Sequence, residues 1–451
     1  MEMKQINLTD HFTYGKLLRY SLPGIGNMLA ITAFQLVDGY FVSNMLGGEP
    51  FAAVNLIFPL FMILYSLGFM FGAGASAVVA KCLGEDQSRK GKEIFTGTVT
   101  VMLITGLVLG ILAAFLLPHV APWLGATDAT LEYCISYGRI LLFFLGAFIV
   151  NAAFQTLWIT AGKAWMGFLL SVITGISNAV LDWVFMGPLK MGVTGAALAT
   201  ALSAVAGMIV ILVYFTCRNG SALRFVRFKT GILKELKAIC FNGASSMVDA
   251  VSVNITSLVV NWQLMRFMGE KGVGAMGVFS YVSGVFMAYF FGICTTAITV
   301  AGYKYGEKNR TEIESLRKKG IFLMLSGGVV MTLLGFFLAG PISSLYVGYD
   351  PAAYDLTAHA LRISAFAFLL YGFDIFCGSF FTGLGDGLGS ILISGMLSLV
   401  MPILLILLLP ALFGAGAIWF TSPLTTVFTA VLCILLNRFR YPGRIDFSEG
   451  A

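Results

Sequence analysis

Charge is the scarcest property of this sequence. Asp, Glu, Lys and Arg make up 11 % of 451 residues, against about 25 % in soluble domains. So few charges could not cover the water-facing surface of a chain this long, which excludes a string of soluble domains. Histidine occurs three times, as His11, His119 and His359. There is no HExxH pair and no other paired catalytic motif, so an intramembrane enzyme is not expected. No P-loop is present, and direct drive by ATP is not expected either. The seven cysteines are scattered without CxxC or Cys/His ligand spacing, so no disulfide framework is expected. Alternating ten-residue strands are absent, which excludes a β-barrel.

What remains is apolar. Hydrophobic residues reach 58 % and the mean hydropathy is +0.89, so lipid is the main solvent. A membrane helix needs about 20 mostly apolar residues, and the chain has twelve such runs. In the first half they lie near 17–42, 53–79, 94–117, 133–159, 165–187 and 192–215. In the second they lie near 236–265, 274–302, 319–340, 357–381, 388–409 and 414–436. The fold class predicted is an all-α membrane protein of twelve transmembrane helices.

The few basic residues are placed unevenly. With the N-terminus inside, 23 of the 28 fall in cytoplasmic segments and three (Lys190, Arg266 and Lys271) fall on the far side. Arg139 and Arg362 lie near the starts of helices 4 and 10. This is a strong positive-inside signal, predicting both termini on the cytoplasmic face of the plasma (inner) membrane. The net charge of +6 then reads as orientation in the bilayer, and a nucleic-acid partner is not expected.

The longest basic connection divides the chain into a lobe over 1–217, a cytoplasmic linker over 218–235 and a lobe over 236–451. Leu83-Gly84-Glu85 after helix 2 corresponds to Tyr305-Gly306-Glu307 after helix 8, at an offset of 222. Arg139-Ile140 corresponds to Arg362-Ile363, and Asn151 falls opposite Asp374, at an offset of 223. These pairs indicate a duplication. Six helices return the chain to its starting side, so the two bundles run parallel, related by a pseudo-two-fold axis along the membrane normal, around a central cleft. Such an arrangement suits alternating access.

An acidic residue at the centre of a membrane helix costs about 2.5–3.5 kcal/mol on insertion scales, and function is the default reading for one. Four are predicted here: Asp38, Asp182, Asp249 and Asp374. Asp38 and Asp182 lie at similar depth in the outer halves of helices 1 and 5. Asn178 shares a helix face with Asp182, and Thr200 reaches a comparable depth on helix 6. Two carboxylates, an amide oxygen and a hydroxyl suit Na⁺, while two adjacent carboxyls in a dry site can share a proton. Both remain open. Asp249, Asn254 and Asp374 make a candidate second site, for a cation or a cationic substrate. Pro23, early in helix 1, is a candidate hinge.

These residues carry a resemblance. Leu22-Pro23, the Ala80-Lys81-Cys82-Leu83-Gly84-Glu85 exit from helix 2, Asn178-Ala179-Val180-Leu181-Asp182 and Gly192-Val193-Thr194-Gly195-Ala196-Ala197-Leu198-Ala199-Thr200 are similar to motifs of the MATE (multidrug and toxic compound extrusion) transporters, over nearly the whole chain. The look is that of the MepA-like and DinF-like bacterial members. The resemblance implies an antiporter that expels cationic or amphipathic organic compounds against inward H⁺ or Na⁺, with no cofactor. It implies a cation site at Asp38, Asn178, Asp182 and Thr200. In a second branch the C-terminal site uses a glutamate on helix 7 and an aspartate on helix 10. Asp374 matches the aspartate, whereas Asn254 stands in the glutamate's place. The expected partners are small organic cations and the lipid bilayer, and the expected state is a monomer. The alternative is a lipid-linked oligosaccharide or lipid flippase of the same superfamily, which would call for a more cationic cleft.

Overall fold

The computed structural model describes residues 8–46, 48–124, 126–227, 233–348 and 350–445, apart from the side chains at 35, 36, 39, 40, 43, 44, 48, 49, 51, 52, 128, 129 and 233. Residues 228–232 of the predicted linker therefore lie outside the described residues. Among the described residues every regular element is helical.

The first half holds α1 (Tyr14–Leu46), α2 (Gly48–Gly84), α3 (Ser88–Trp123), α4 (Asp128–Phe143), α5 (Leu145–Thr160), α6 (Ala164–Met186) and α7 (Gly192–Thr216). α4 and α5 form a single span bent by 60°. The second half holds α8 (Leu233–Gly306), α9 (Arg310–Phe337), α10 (Ala339–Val347), α11 (Pro351–Ser364), α12 (Phe368–Gly383), α13 (Gly387–Gly395), α14 (Met401–Phe413), α15 (Thr421–Phe439) and α16 (Tyr441–Arg444). α8 contains two spans, broken at Gly269, where φ is 65° and helical backbone stops. α11 and α12 make one span, as do α13 and α14 through a π turn at Met396–Val400. With α1 the total is twelve spans in two bundles of six.

Prolines shape both bundles. Each removes one N–H and frees the carbonyl four residues earlier, and lipid offers that carbonyl no partner. Side chains from other helices supply one. Arg139 Nε donates to Ala114 O at 3.4 Å, before Pro118. Thr256 Oγ1 donates to Ser398 O at 2.7 Å, before Pro402. Gln263 Nε2 donates to Ile406 O at 3.3 Å, before Pro410. Ser364 Oγ donates to Trp419 O at 3.4 Å, before Pro423. At these four prolines the break in the helix ladder and the cross-helix contact thus have one cause.

The halves meet along α2 and α8 with almost no side chain between them. A Cβ added at Gly74 would lie 2.0 Å from Ile239 O, and one at Gly243 would lie 1.9 Å from Met70 O. Nearer the lysine- and arginine-rich end, a Cβ at Gly84 would lie 2.1 Å from Tyr303 O, and one at Gly306 2.1 Å from Lys81 O. At Gly84 and Gly306 the contact is reciprocal, with each half inserting the same repeat position into the other. Ser76, Thr160 and Thr299 join hydroxyls across this seam. Among the described residues, no glycine contact of this kind links the halves at the opposite end. The bundles are therefore sealed at the basic end.

Two chain segments reinforce that end. Leu8, Phe12, Leu17 and Tyr20 bury into the core of the second half, although α1 packs on both halves. Lys319 Nζ donates to Phe12 O at 2.6 Å and Lys304 Nζ to Thr9 O at 3.2 Å, while His11 pairs with Glu312. After α7, Leu223 is fully buried, Phe225 stacks on Phe95, and Val226 N donates to Thr96 Oγ1 at 3.1 Å. This part of the linker is fixed to the first half.

Candidate functional site

α1, α4, α6 and α7 bring the site together in the first half. Glycine allows the approach: a Cβ at Gly175 on α6 would fall 2.0 Å from the Phe34 ring on α1. One helical turn beyond Phe34 and two beyond Gly175, Asp38 and Asp182 adjoin, each carboxyl within hydrogen-bonding reach of the other. Asp182 is fully buried. Among the described residues no donor hydrogen-bonds to either of its oxygens or to Oδ1 of Asp38. Two ionised carboxylates offer only acceptors. Their contact calls for a shared proton or a cation, because like charges this close in a dry site cannot both persist.

The other two predicted members sit beside the pair. Asn178 Nδ2 reaches Thr200 Oγ1 at 3.5 Å, and Thr200 Oγ1 donates to Ala196 O at 3.0 Å. The threonine has spent its hydrogen on the backbone, so it presents lone pairs. α1 runs on to Leu46, so Asp38 lies further from the helix end than the apolar run suggested.

One neighbour escaped the sequence reading. Tyr137 on α4 is 3 % exposed and lies within electrostatic range of both carboxyls. In an apolar run a tyrosine reads as core, and no sequence signal distinguishes it.

Pro23 lies well inside α1. It borders a cavity of about 30 Å³, also lined by Asn27, Asn151, Gln155, Ser171 and Thr174. That volume holds about one or two waters. Asn27 Oδ1 is buried there without a protein donor, so the proline stands beside a polar, water-sized gap.

The second predicted site is not assembled in the same way. Asp249 is held by two serines of one helix: Ser394 Oγ donates to Oδ2 at 2.9 Å and Ser398 Oγ to Oδ1 at 2.8 Å. Asn254 Nδ2 donates to Ala250 O in its own helix. Asp374 is fully buried, with neither carboxyl oxygen partnered. No hydrogen bond or ion pair joins these three side chains to one another. Tyr371 lies within electrostatic range of both Asp249 and Asp374. Opposite Asp374 in the repeat, Asn151 donates to Ala147 O and Ala204 O, both at 2.8 Å.

Twelve apolar spans in two related bundles, with a paired carboxyl site inside one of them, define a membrane transporter, and an enzyme is not what this fold carries. The chain belongs to the MatE family, whose model matches residues 23–184 and again 246–408. The two matched segments begin 223 residues apart, the offset seen in the sequence. The chain is similar to the multidrug export protein MepA of Staphylococcus aureus strain MRSA252, 23 % identical over 450 residues, covering 96 % of this chain and 95 % of that one. It is similar to MepA of Staphylococcus saprophyticus, 24 % identical over 454 residues with the same coverage. Among solved structures it is similar to an outward-facing multidrug resistance MATE family transporter of the MOP superfamily, with a TM-score of 0.90 and 24 % identity over 98 % of this chain and 99 % of that one. Among the described residues no cluster of three His, Cys, Asp or Glu side chains could hold a metal ion.

Proposed function

We propose that this protein is a secondary active multidrug exporter. It expels cationic or amphipathic organic compounds in exchange for H⁺ or Na⁺, by alternating access of the two bundles. The observation that carries this reading is the contact of Asp38 with Asp182 inside the membrane, where neither oxygen of Asp182 nor Oδ1 of Asp38 meets a donor among the described residues. Filling that gap with H⁺ or Na⁺ would favour one arrangement of the bundles, and drug would favour the other. Coupling requires such a difference in affinity. Asn178 and Thr200 add neutral oxygens if the ion is Na⁺, and Tyr137 adds a donor or acceptor to the same pocket. Multidrug export by the MepA relatives supports the substrate class.

The positive-inside pattern supports a plasma-membrane protein with both termini cytoplasmic. On that orientation the sealed basic end is the cytoplasmic one, and the cleft faces outward. The transporter works as a monomer and needs no cofactor beyond the coupling ion.

Drug transport in proteoliposomes, with Na⁺ and pH gradients imposed separately, tests the reading. Uptake driven by one gradient and abolished by Asp38→Asn is the expected result. Transport that ignores both gradients sinks it. Movement of a labelled lipid-linked sugar without drug would favour a flippase, although the unpaired charge inside these bundles is acidic and suits pyrophosphate poorly.

A further inference from the structure

A second chamber lies wholly within the C-terminal half, between α8, the α11–α12 span, α14 and α15. Its volume is about 410 Å³, within the range of sites for drug-sized ligands. Phe279, Phe291, Phe368, Tyr371 and Trp419 make much of the wall, and Val253 and Phe291 stand at its exposed rim. Thr256, Ser364 and Ser398 all line the chamber, and all three have given their hydrogens to the backbone or to Asp249. They face a ligand with lone pairs only. Ser283, Thr421, Thr425 and the Trp419 indole N–H belong to the same wall and have no partner in the protein.

Among the described residues no Asp, Glu, Lys, Arg or His lines this chamber. Asp249 stands behind Ser398 with both oxygens engaged. An organic cation entering would leave water without meeting a free counter-charge, which is costly. A neutral molecule meets no such penalty. Its apolar body would lie against the aromatic wall, and its polar atoms would satisfy hydroxyls that are now unpaired.

We propose that this chamber binds an uncharged amphipathic molecule, with an aromatic or aliphatic body and one or two neutral hydrogen-bonding groups. Such a ligand forms a substrate class separate from the cations. The proposal rests on the export reading for its physiological meaning, but the binding itself does not depend on coupling.

Direct binding to the purified full-length protein in nanodiscs tests it, with uncharged Nile red and cationic ethidium as probes and empty nanodiscs subtracted. Ala367 lines the chamber and is 5 % exposed, so Ala367→Phe fills it. Thr425→Val removes a hydroxyl at constant volume. Ala367→Phe should weaken Nile red by about tenfold or more, a difference of about 1.4 kcal/mol, and leave ethidium within about twofold. Thr425→Val, the milder change if the larger side chain prevents folding, should weaken Nile red about threefold, by about 0.65 kcal/mol. The proposal is overturned if the native protein does not bind Nile red, or if neither variant changes its affinity. Equal loss of both probes, or one-for-one competition between them, overturns it as well, because a single shared cleft would then serve both. Nile red binding that persists where no ion gradient drives transport would separate failure of the export reading from failure of this one.

Discussion

Ser76 and Thr299 share a hydrogen bond of 2.8 Å, and they stand 223 residues apart. At the offset of 222 that pairs Gly84 with Gly306 on these same two helices, Ser76 falls opposite Ile298, so Thr299 lies one residue from its counterpart in the repeat. Thr160, at 2.7 Å from Ser76, completes the cluster.

On the proposed coupling, in which neutralising these charges links ion to drug, Asp38→Asn and Asp182→Asn should each cut drug efflux at least about tenfold. Thr200→Val should reduce it less, by withdrawing one neutral oxygen. Drug accumulation in an efflux-deficient host reads both, and membrane levels of each variant control for folding. If both aspartate variants export normally, the carboxyl pair is not the coupling site.

The glycine seam sets the resting arrangement. Gly243→Val or Gly306→Val would drive a Cβ into a backbone carbonyl, and overpacking of that kind costs about 1–3 kcal/mol. The cost falls on the sealed state alone, so the population should shift towards an arrangement open at the basic end. Cysteine labelling of that end, from the inside, should rise about fivefold or more. Unchanged labelling would mean that the seam does not govern the equilibrium.

The proline-freed carbonyls invite a double-mutant cycle. Thr256→Val leaves Ser398 O without its side-chain donor and should destabilise by about 1–3 kcal/mol. Pro402→Ala supplies a backbone N–H nearby. In the Pro402→Ala background, Thr256→Val should therefore cost less, with a coupling of about 0.5 kcal/mol or more. Strict additivity in melting experiments would refute the link.

At the basic end, outside the spans, Asp386 caps α13 through Gly389 N and pairs with Arg440 and Arg444, Arg440 Nη2 donating to Oδ1 at 2.7 Å. Burial alone would raise its pKa. The Arg440 hydrogen bond, the Gly389 N–H and the Arg444 charge together outweigh burial and hold the carboxyl below the usual range. A depressed folded pKa gives stability that is complete above the unfolded value, about 3.9, and lost as pH falls through the folded one. This pair should add no slope to the melting temperature between about pH 5 and 8. Asp386→Asn should cost about 1.5 kcal/mol at neutral pH, the low end for bonds to a charge, because the arginines are 32 % and 36 % exposed. It should also flatten the acid limb of the profile.

Much of this was legible beforehand because hydropathy and helix spacing report on it. The twelve spans, and the coming together of Asp38 and Asp182, follow from run lengths and matched depth. What was hidden depends on partners remote in the chain. Ser394 and Ser398 look like ordinary packing residues until α13 and its π turn bring them onto Asp249. Asn254 is a candidate ligand from its place in the resemblance and its nearness to an acid, and that its Nδ2 donates to Ala250 O of its own helix could not be read beforehand. The bend between α4 and α5 falls at Phe144 without a proline, so nothing in the local sequence marks it.

The reciprocal insertion of Gly84 and Gly306 has a historical consequence. A surface that fits its own copy across a two-fold axis is isologous, the kind that closes symmetric dimers. A six-helix ancestor with these positions would have presented the same seam to a second, separate copy of itself. Fusion of two such copies then freed each half to diverge. The paired aspartates survive in one half, and an uncharged chamber occupies the other.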